Sequence, residues 1–141
     1  MTTLPDNMFP VTQESAQRAF DWIYAPWIKD MGLTDFVVRE GFASMRLPLH
    51  DRLRFFSGAV CGQALMAAID TVASFAAGTS PRTSKGTVYQ HTHFLRPAAN
   101  DDFLIEANIE RFGKTSAYVT CSVRFVGSSE LVAHAVLEFA F

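Results

Sequence analysis

The chain has 141 residues, of which 49% are apolar and 13 are Phe, a composition that excludes a disordered chain and suits a buried core. We expect a single domain over residues 1–141 that begins with an N-terminal helical extension over residues 1–32. The net charge of -2 and the scattered Lys and Arg residues exclude a nucleic-acid-binding surface. Residues 1–15 contain no positively charged or apolar signal segment, and Cys61 and Cys121 are too few for a disulfide framework, so we expect a cytoplasmic protein.

Two segments precede the long apolar run of the chain. Residues 12–24 predict an amphipathic helix, because apolar side chains recur at helical spacing behind Thr12, which can serve as the N-cap. Those apolar side chains are Ala16, Ala19, Phe20 and Ile23. Pro26 then ends or bends this helix. Residues 35–49 favour a strand with a bulge at Gly41.

The apolar run over residues 58–78 contains one charged residue, Asp70, and predicts a buried helix; the charge disfavours a membrane span. After residue 86 the apolar residues alternate with a period of two, which predicts four consecutive antiparallel strands. These strands cover residues 87–95, 102–112, 115–126 and 130–141. We therefore expect an α+β fold in which a curved antiparallel sheet of about five strands wraps one long helix. Its uncovered strand edges favour a symmetric oligomer.

Asp70 is the first candidate for chemistry. An ionised carboxylate in apolar surroundings is costly unless it is paired, and the helix offers Asp70 no basic partner three or four residues away. Gln63 and Ser74 share its helix face, the first about 10.5 Å before it and the second one turn beyond, so a polar stripe crosses the helix. Two explanations stay open: Asp70 lies on a wet stripe or caps a neighbouring segment, or it is a general base or nucleophile.

The start of the same helix predicts a binding site for a negatively charged oxygen. Gly58 and Gly62 leave backbone N–H groups open to a ligand, and the first turn of a helix carries free donors and a partial positive charge. Cys61 is an alternative nucleophile at this position, although free cysteines are more often small buried hydrophobic residues. His91 and His93 have a spacing that can bind zinc, but no third ligand is evident, so we expect no metal site.

The segment AVCGQALMAAIDTVASFA, residues 59–76, resembles the helix of the hotdog-fold acyl-CoA thioesterases of the phenylacetate-type family. In that family an HGG-like segment opens the helix and an acid follows about two turns later. TVYQHTHFLRPA, IERFGKTSAYVTCSVRF and ELVAHAVLEF resemble strands of the same family, so the resemblance covers residues 33–141. Cys61 and Gln63 stand where the family has the His and the second Gly, and RLRFFSG has no counterpart of the family's Asn.

The resemblance implies the roles of the catalytic residues. Asp70 is the catalytic acid, the backbone N–H of Gly62 polarises the thioester carbonyl, and Thr87 supplies a supporting hydroxyl. Gln63 offers an amide to the substrate or to water, and Ser74 continues the stripe of substrate-binding residues. In such enzymes the acid and the helix start come from two subunits, so the catalytic unit is a homodimer, which pairs further into a dimer of dimers.

Coenzyme A is then part of the substrate and not a cofactor, and the resemblance places it along the dimer interface. The candidates for its phosphates are Arg96, Arg111 and Lys114. The aromatic group of the N-terminal region either lines an acyl tunnel, acts as a lid, or packs into the core or an interface. This group consists of Phe20, Trp22, Tyr24 and Trp27.

The resulting hypothesis is an acyl-CoA thioester hydrolase in which Asp70 either activates water or attacks the carbonyl directly. One alternative is a hotdog-fold hydratase or dehydratase acting on acyl thioesters, which pairs an acid with a His that this chain lacks at the expected spacing. Another is a non-catalytic acyl-CoA-binding homologue, because the HGG-like segment is replaced. Neither a metal nor another cofactor is expected.

Overall fold

The computed structural model describes residues 3–141 and contains one antiparallel sheet of six strands, a long helix packed on it, and an N-terminal helical segment. The helices are α1 (Ala16–Ile23), α2 (Pro26–Lys29) and α3 (Gly62–Ala77), with a short 3-10 turn at Asp51–Leu53. The strands are β1 (Thr34–Arg39), β2 (Phe42–Leu47), β3 (Gly86–Phe94), β4 (Phe103–Phe112), β5 (Ser116–Phe125) and β6 (Leu131–Ala140).

The segment predicted as one strand over residues 35–49 is a hairpin, so the sheet has six strands and not five. β1 and β2 pair antiparallel and Arg39 lies opposite Phe42. Gly41 occupies the turn with a φ of +75°, in the left-handed region where a glycine avoids steric strain. A bulge at Gly41 was therefore the wrong interpretation, because a glycine in a strand pattern can equally mark a reversal of the chain.

Both predicted helices are present, but each is shorter than the range that its sequence pattern predicts. α1 begins at Ala16, because Thr12 and Ser15 exchange hydrogen bonds in a turn ahead of it, so Thr12 is not the N-cap. α3 begins at Gly62 and not at residue 58, because Val60 donates its N–H to the Ala98 carbonyl at 2.8 Å and is held in extended backbone. Among residues 3–141 no helix is long and apolar enough to cross a membrane.

The sheet has the strand order β1-β2-β4-β5-β6-β3. Of the four strands predicted after residue 86, β4, β5 and β6 are sequential antiparallel neighbours as predicted. β3 is not the neighbour of β4, because it pairs with β6 at the edge of the sheet and the chain crosses over to begin β4 beside β2. The predicted alternation in β4 is confirmed, with Phe103, Ile105 and Ala107 buried against α3. α3 lies across β2, β4 and β5, with β3 and β6 alongside, and this packing forms the core.

Asp102 at the start of β4 ties the end of β2 to the sheet. Its carboxylate accepts two hydrogen bonds from Arg46, at 2.7 and 2.9 Å, and one from the backbone N–H of Leu49 at 2.8 Å. The Leu49 N–H and then the Arg46 guanidinium hold the pKa of Asp102 below its usual value of 3.8.

We expect Asp102→Asn to lower the free energy of unfolding by about 1–2 kcal/mol at pH 7, because it removes a charged acceptor from this cluster. A carboxylate whose pKa is depressed by folding stabilises the protein above its unfolded pKa, and this stabilisation is lost as the pH falls through the folded value. Urea unfolding of both proteins should therefore give midpoints that differ at pH 7 and converge well below pH 3.8. A difference that persists unchanged in acid would contradict this account.

Candidate functional site

Asp70 lies in the second half of α3, half-buried, with its carboxylate at the wall of a cavity of about 330 Å³. The hydroxyl of Thr87 donates a 2.6 Å hydrogen bond to Asp70 Oδ1. Asp70 Oδ2 accepts no hydrogen bond from any of residues 3–141 and stays available to a ligand or to water. The carboxylate is thus oriented by one neighbour while one of its oxygens remains free to react.

A β-bulge in β3 brings Thr87 to Asp70. In the pairing of β3 with β6, Thr87 lies opposite Phe139 and Tyr89 lies opposite Glu138, so Val88 is the extra residue. Without that bulge, strict alternation would place Thr87 on the same face as Tyr89 and His91, away from α3. The irregularity therefore carries the Thr87 hydroxyl to the helix side of the sheet.

Ser74, one turn beyond Asp70, does not present a free hydroxyl to the cavity. Its hydroxyl donates to the Thr71 carbonyl at 2.8 Å and forms a short hydrogen bond with the phenol of Tyr24. Burial raises the pKa of Tyr24 far above its usual value of 10.0, the Ser74 hydrogen bond opposes this shift, and the charge of Asp70 adds to it. Tyr24 is therefore a neutral donor at neutral pH.

The start of α3 provides two unpaired backbone donors. Ala64 and Leu65 both donate to the Cys61 carbonyl, whereas the N–H groups of Gly62 and Gln63 have no partner among residues 3–141. Gly62 lies in a second cavity, of about 430 Å³, beneath the ring of Phe94. A Cβ at this glycine would lie 3.3 Å from Phe94 Cζ, which shows how closely the strand passes the helix start.

The predicted polar stripe on α3 is divided between two cavities. Gln63 is exposed and lines a third cavity, of about 440 Å³, together with Trp27, Arg52 and Cys61. Asp70 does not line that cavity. Within one chain the structure thus joins Asp70 to Thr87 and places both Gly62 and Gln63 elsewhere.

The three basic residues predicted to bind phosphates lie in different places. Arg96 lines the Gly62 cavity and forms an ion pair with Glu130. Lys114 is exposed in the turn between β4 and β5, where its carbonyl accepts a hydrogen bond from Arg82 at 2.8 Å. Arg111 is exposed on β4.

The sequence reasoning missed the polar rim of the Asp70 cavity. Thr83, Ser84 and Lys85 line its mouth, and Thr83 and Lys85 are exposed there. The sequence gives little signal for this rim, because a polar loop before a strand has the same composition whether or not it borders a cavity.

Cys61 and the His91–His93 pair are the alternative candidates for a reactive or metal-binding site. Cys61 is half-buried in the Gln63 cavity, and Cys121 is buried in the core, where burial raises the pKa of its thiol. The rings of His91 and His93 lie 4.7 Å apart on the outer sheet face, with His134 opposite His93 on β6. Within the part of the chain that the structure describes, no three His, Cys, Asp or Glu side chains are arranged to hold a metal ion.

A family model described as the thioesterase superfamily matches residues 57–128, just over half of the chain, and this range includes α3, β3, β4 and β5. The chain belongs to the thioesterase superfamily. The matched residues include both Asp70 with its Thr87 partner and the open helix start at Gly62. The resemblance seen in the sequence is thereby confirmed at the level of the superfamily.

The chain is also similar to individual proteins. A proposed esterase of Thermoplasma volcanium is 34% identical over 83 residues, which cover 58% of this chain and 62% of that protein, so the match spans less than two thirds of this relative. A conserved protein from Pseudomonas aeruginosa is 28% identical with a TM-score of 0.77, covering 86% of this chain and 98% of that one.

The PaaI protein from the phenylacetic acid degradation operon of E. coli is similar in structure, with a TM-score of 0.73 at 20% identity over 80% of this chain and 86% of that one. At this identity the likeness concerns the fold. The predicted hotdog fold, a long helix packed on an antiparallel sheet, is confirmed.

Proposed function

We propose that the protein hydrolyses acyl-CoA thioesters, with the Asp70 carboxylate of one protomer and the Gly62 N–H of another acting on the same carbonyl. The observation that carries this proposal is the Thr87–Asp70 hydrogen bond, which orients a carboxylate at a cavity wall in a member of the thioesterase superfamily. A half-buried carboxylate with one free oxygen suits a general base or a nucleophile.

One chain alone cannot supply both groups to one thioester. Gly62 and Asp70 are eight residues apart on α3, about 12 Å along the helix axis at about 1.5 Å per residue. The carbonyl oxygen must lie about 2.7–3.1 Å from its donor, while the attacking oxygen must approach the adjacent carbon. Two chains are therefore needed to complete the proposed site.

β3 offers the surface through which two chains can pair. It is an edge strand with an open side, and between Gly86 and Phe94 it contains neither Pro nor a Lys, Arg, Asp or Glu that would block pairing. Val88 is 61% exposed in the single chain, as expected for an apolar residue that a partner chain covers in the proposed dimer. The opposite edge, β1, is protected by Asp35 and Arg39 and by an irregular register.

Antiparallel pairing of two copies of β3 aligns the two halves of the site. β3 runs along α3 so that Thr87 meets Asp70, the Gln90 amide donates to the Met66 carbonyl at 3.2 Å, and Phe94 covers Gly62. A twofold axis near the middle of β3 therefore brings the Thr87 end of one strand to the Phe94 end of the other. Asp70 of one protomer then approaches Gly62 of its partner.

The chemistry follows from this arrangement. The carbonyl oxygen of the thioester accepts a hydrogen bond from Gly62, and Asp70 either removes a proton from an attacking water or attacks the carbonyl carbon itself. When Asp70 acts on water, the carbon–sulfur bond of the tetrahedral intermediate breaks and the coenzyme A thiolate takes the proton that Asp70 removed, which leaves the free acid. When Asp70 attacks, the same bond breaks and leaves a mixed anhydride on Asp70, and a water molecule then hydrolyses this anhydride, restores the carboxylate and supplies the proton to the thiolate. Neither a metal nor another cofactor enters this proposal.

We extend the proposal to the coenzyme A moiety and to the assembly. Lys85 at the mouth of the Asp70 cavity, Lys114 near Arg82, and Arg96 of the adjoining protomer offer positive charge to its phosphates. A Streptococcus mutans protein of similar fold was solved with acetyl-CoA bound, which favours ligands of this class. We also propose a dimer of dimers and a cytoplasmic location, to which the free cysteines are suited.

The test of this function is hydrolysis of acetyl-, phenylacetyl- and palmitoyl-CoA by the purified protein, followed by loss of thioester ultraviolet absorbance and by appearance of free coenzyme A. Hydrolysis of any of these thioesters above the rate in buffer supports the proposal. Hydration of an enoyl-CoA without release of thiol would assign a hydratase instead. Binding of every thioester without turnover would assign a non-catalytic homologue.

We expect Thr87→Val to lower kcat about tenfold, because one hydrogen bond to a charged group contributes about 1.5 kcal/mol and orients the reacting carboxylate. Thr92→Val on the same strand is the matched control, since Thr92 only accepts a hydrogen bond from Gln90. Initial rates at saturating acyl-CoA measure both variants. Equal rates for Thr87→Val and the wild type would remove Thr87 from the catalytic machinery.

A further inference from the structure

The cavity beside Asp70 has a wall that the thioesterase match does not include. The match begins at residue 57, whereas Leu4, Phe9, Ile23 and Tyr24 from the N-terminal segment all line this cavity. The other lining residues include Asp70 and Ser74 of α3 and the buried Phe139. The N-terminal segment therefore closes one side of the space next to the reacting carboxylate.

Polar and apolar groups are distributed unevenly around this cavity. The exposed residues Thr83 and Lys85 lie at the rim, whereas half-buried Ile23 and buried Phe139 line its interior. Its volume of about 330 Å³ lies near the lower end of the range of about 300–1,000 Å³ for small-molecule pockets. The interior thus suits a compact apolar group, and the rim suits the charged remainder of the same molecule.

Tyr24 closes the inner end of the cavity. Its ring stacks on Phe75, with centroids 5.6 Å apart, and lies 5.4 Å from the Phe20 centroid. Neither Phe20 nor Phe75 lines the cavity, so the Tyr24 ring stands between the cavity and these core rings.

Hydrogen bonds hold this ring in position. The Tyr24 hydroxyl bonds to Ser74 and lies 3.3 Å from the Thr71 carbonyl, both on α3 within one turn of Asp70. The polar atoms of Tyr24 and Ser74 satisfy each other, so the inner end presents apolar ring surface to a ligand. The hydrogen bonds add to the packing of the ring against Phe20 and Phe75, and this packing keeps the wall in place when a longer chain enters.

We propose that Tyr24 is the specificity-determining residue that sets the depth of the acyl pocket and excludes long acyl chains. This inference rests on the proposed binding of acyl-CoA at Asp70. A smaller side chain at position 24 opens the cavity toward Phe20 and Phe75, so that additional methylenes of an acyl chain become buried.

The test compares kcat/KM for a series of straight-chain acyl-CoAs in the wild type, Tyr24→Leu and Tyr24→Phe. We expect Tyr24→Leu to move the optimum at least two carbons longer and to raise the ratio of kcat/KM for the longer over the shorter thioester about tenfold, since two more methylenes are buried. Tyr24→Phe keeps the ring and should keep the chain-length profile. Trp22→Leu is the control on the same helix, because Trp22 is exposed and does not line the cavity.

Circular dichroism and thermal melting verify that each variant is folded, and Tyr24→Met serves as a second opening variant with an unbranched apolar side chain that can still contact Phe75. A folded opening variant with the wild-type chain-length profile overturns the inference. If Tyr24→Phe shifts the profile as much as Tyr24→Leu, the hydrogen bond and not the ring sets the depth, and the inference is also overturned.

Binding of non-hydrolysable thioether analogues with the same chain lengths, measured by calorimetry, separates this inference from the proposed function. A shift in the preferred chain length of the analogues, in a protein that hydrolyses no thioester, supports the role of Tyr24 and contradicts the hydrolase. Hydrolysis with an unshifted profile contradicts the role of Tyr24 and leaves the hydrolase intact.

Discussion

Asp70→Asn is expected to lower kcat/KM for acyl-CoA hydrolysis by about 10²–10⁴-fold, the range for removal of a positioned general acid or base. The amide keeps nearly the shape of the carboxylate, and its oxygen can still accept the hydrogen bond from Thr87 that the structure shows at 2.6 Å. It neither accepts a proton at neutral pH nor attacks a carbonyl. The loss therefore reports chemistry and not a disturbed fold.

The matched control is Glu110→Gln, which makes the same chemical change at another hydrogen-bonded carboxylate. Glu110 accepts a 2.6 Å hydrogen bond from Thr120 and is exposed on β4, away from the cavity. Steady-state rates and urea midpoints of both variants should show wild-type activity for Glu110→Gln and wild-type stability for both. Turnover by Asp70→Asn within threefold of the wild type would end the proposed role of Asp70.

Asp70 could be singled out from the sequence because a charge in an apolar helix stands out against its neighbours. Its local partners could not be derived from spacing. Thr87 reaches Asp70 only through the bulge at Val88, and a bulge changes which face a residue occupies without changing the composition of the strand. Only the resemblance to a known family pointed to this threonine.

The sequence predicted those parts of the fold in which the spacing of apolar residues reflects their burial. The alternation in β4 and the apolar run of α3 identified the sheet and its covering helix, and both are present. The place of β3 beside β6 was missed, because pairing between strands distant in sequence leaves no trace in local alternation. The hairpin at Gly41 was missed because one glycine is compatible with a bulge and with a turn.

A substitution at the start of α3 gives a second test, with an expected loss of activity comparable to that of Asp70→Asn. We expect Gly62→Pro to lower kcat/KM by about 10²–10³-fold, the usual loss on removing one donor to a developing oxyanion. Gly62 is the first residue of α3, where Pro is well tolerated, and its N–H has no partner among residues 3–141. Cys61 has φ of -68° and ψ of 149°, the extended conformation that a residue before Pro prefers.

Gly62→Ala is the control for this substitution. It introduces the same Cβ, 3.3 Å from Phe94 Cζ, but retains the N–H group. Activity measured with one acyl-CoA should therefore be largely kept in Gly62→Ala and lost in Gly62→Pro, while circular dichroism shows both folded. If the two variants lose activity equally, crowding at Phe94 explains the loss and the N–H of Gly62 has no catalytic role.

The two inactive variants together test whether the site is shared between chains. Each homodimer of Asp70→Asn or Gly62→Pro lacks one group at both sites, whereas a heterodimer has one site with an intact Asp70 from one chain and an intact Gly62 from the other. Random pairing of equal amounts gives half heterodimers, so co-expression should recover about a quarter of the wild-type activity in a twofold-symmetric dimer. If both groups acted within one chain, each chain of the heterodimer would still carry a defective site, and mixing would recover no activity.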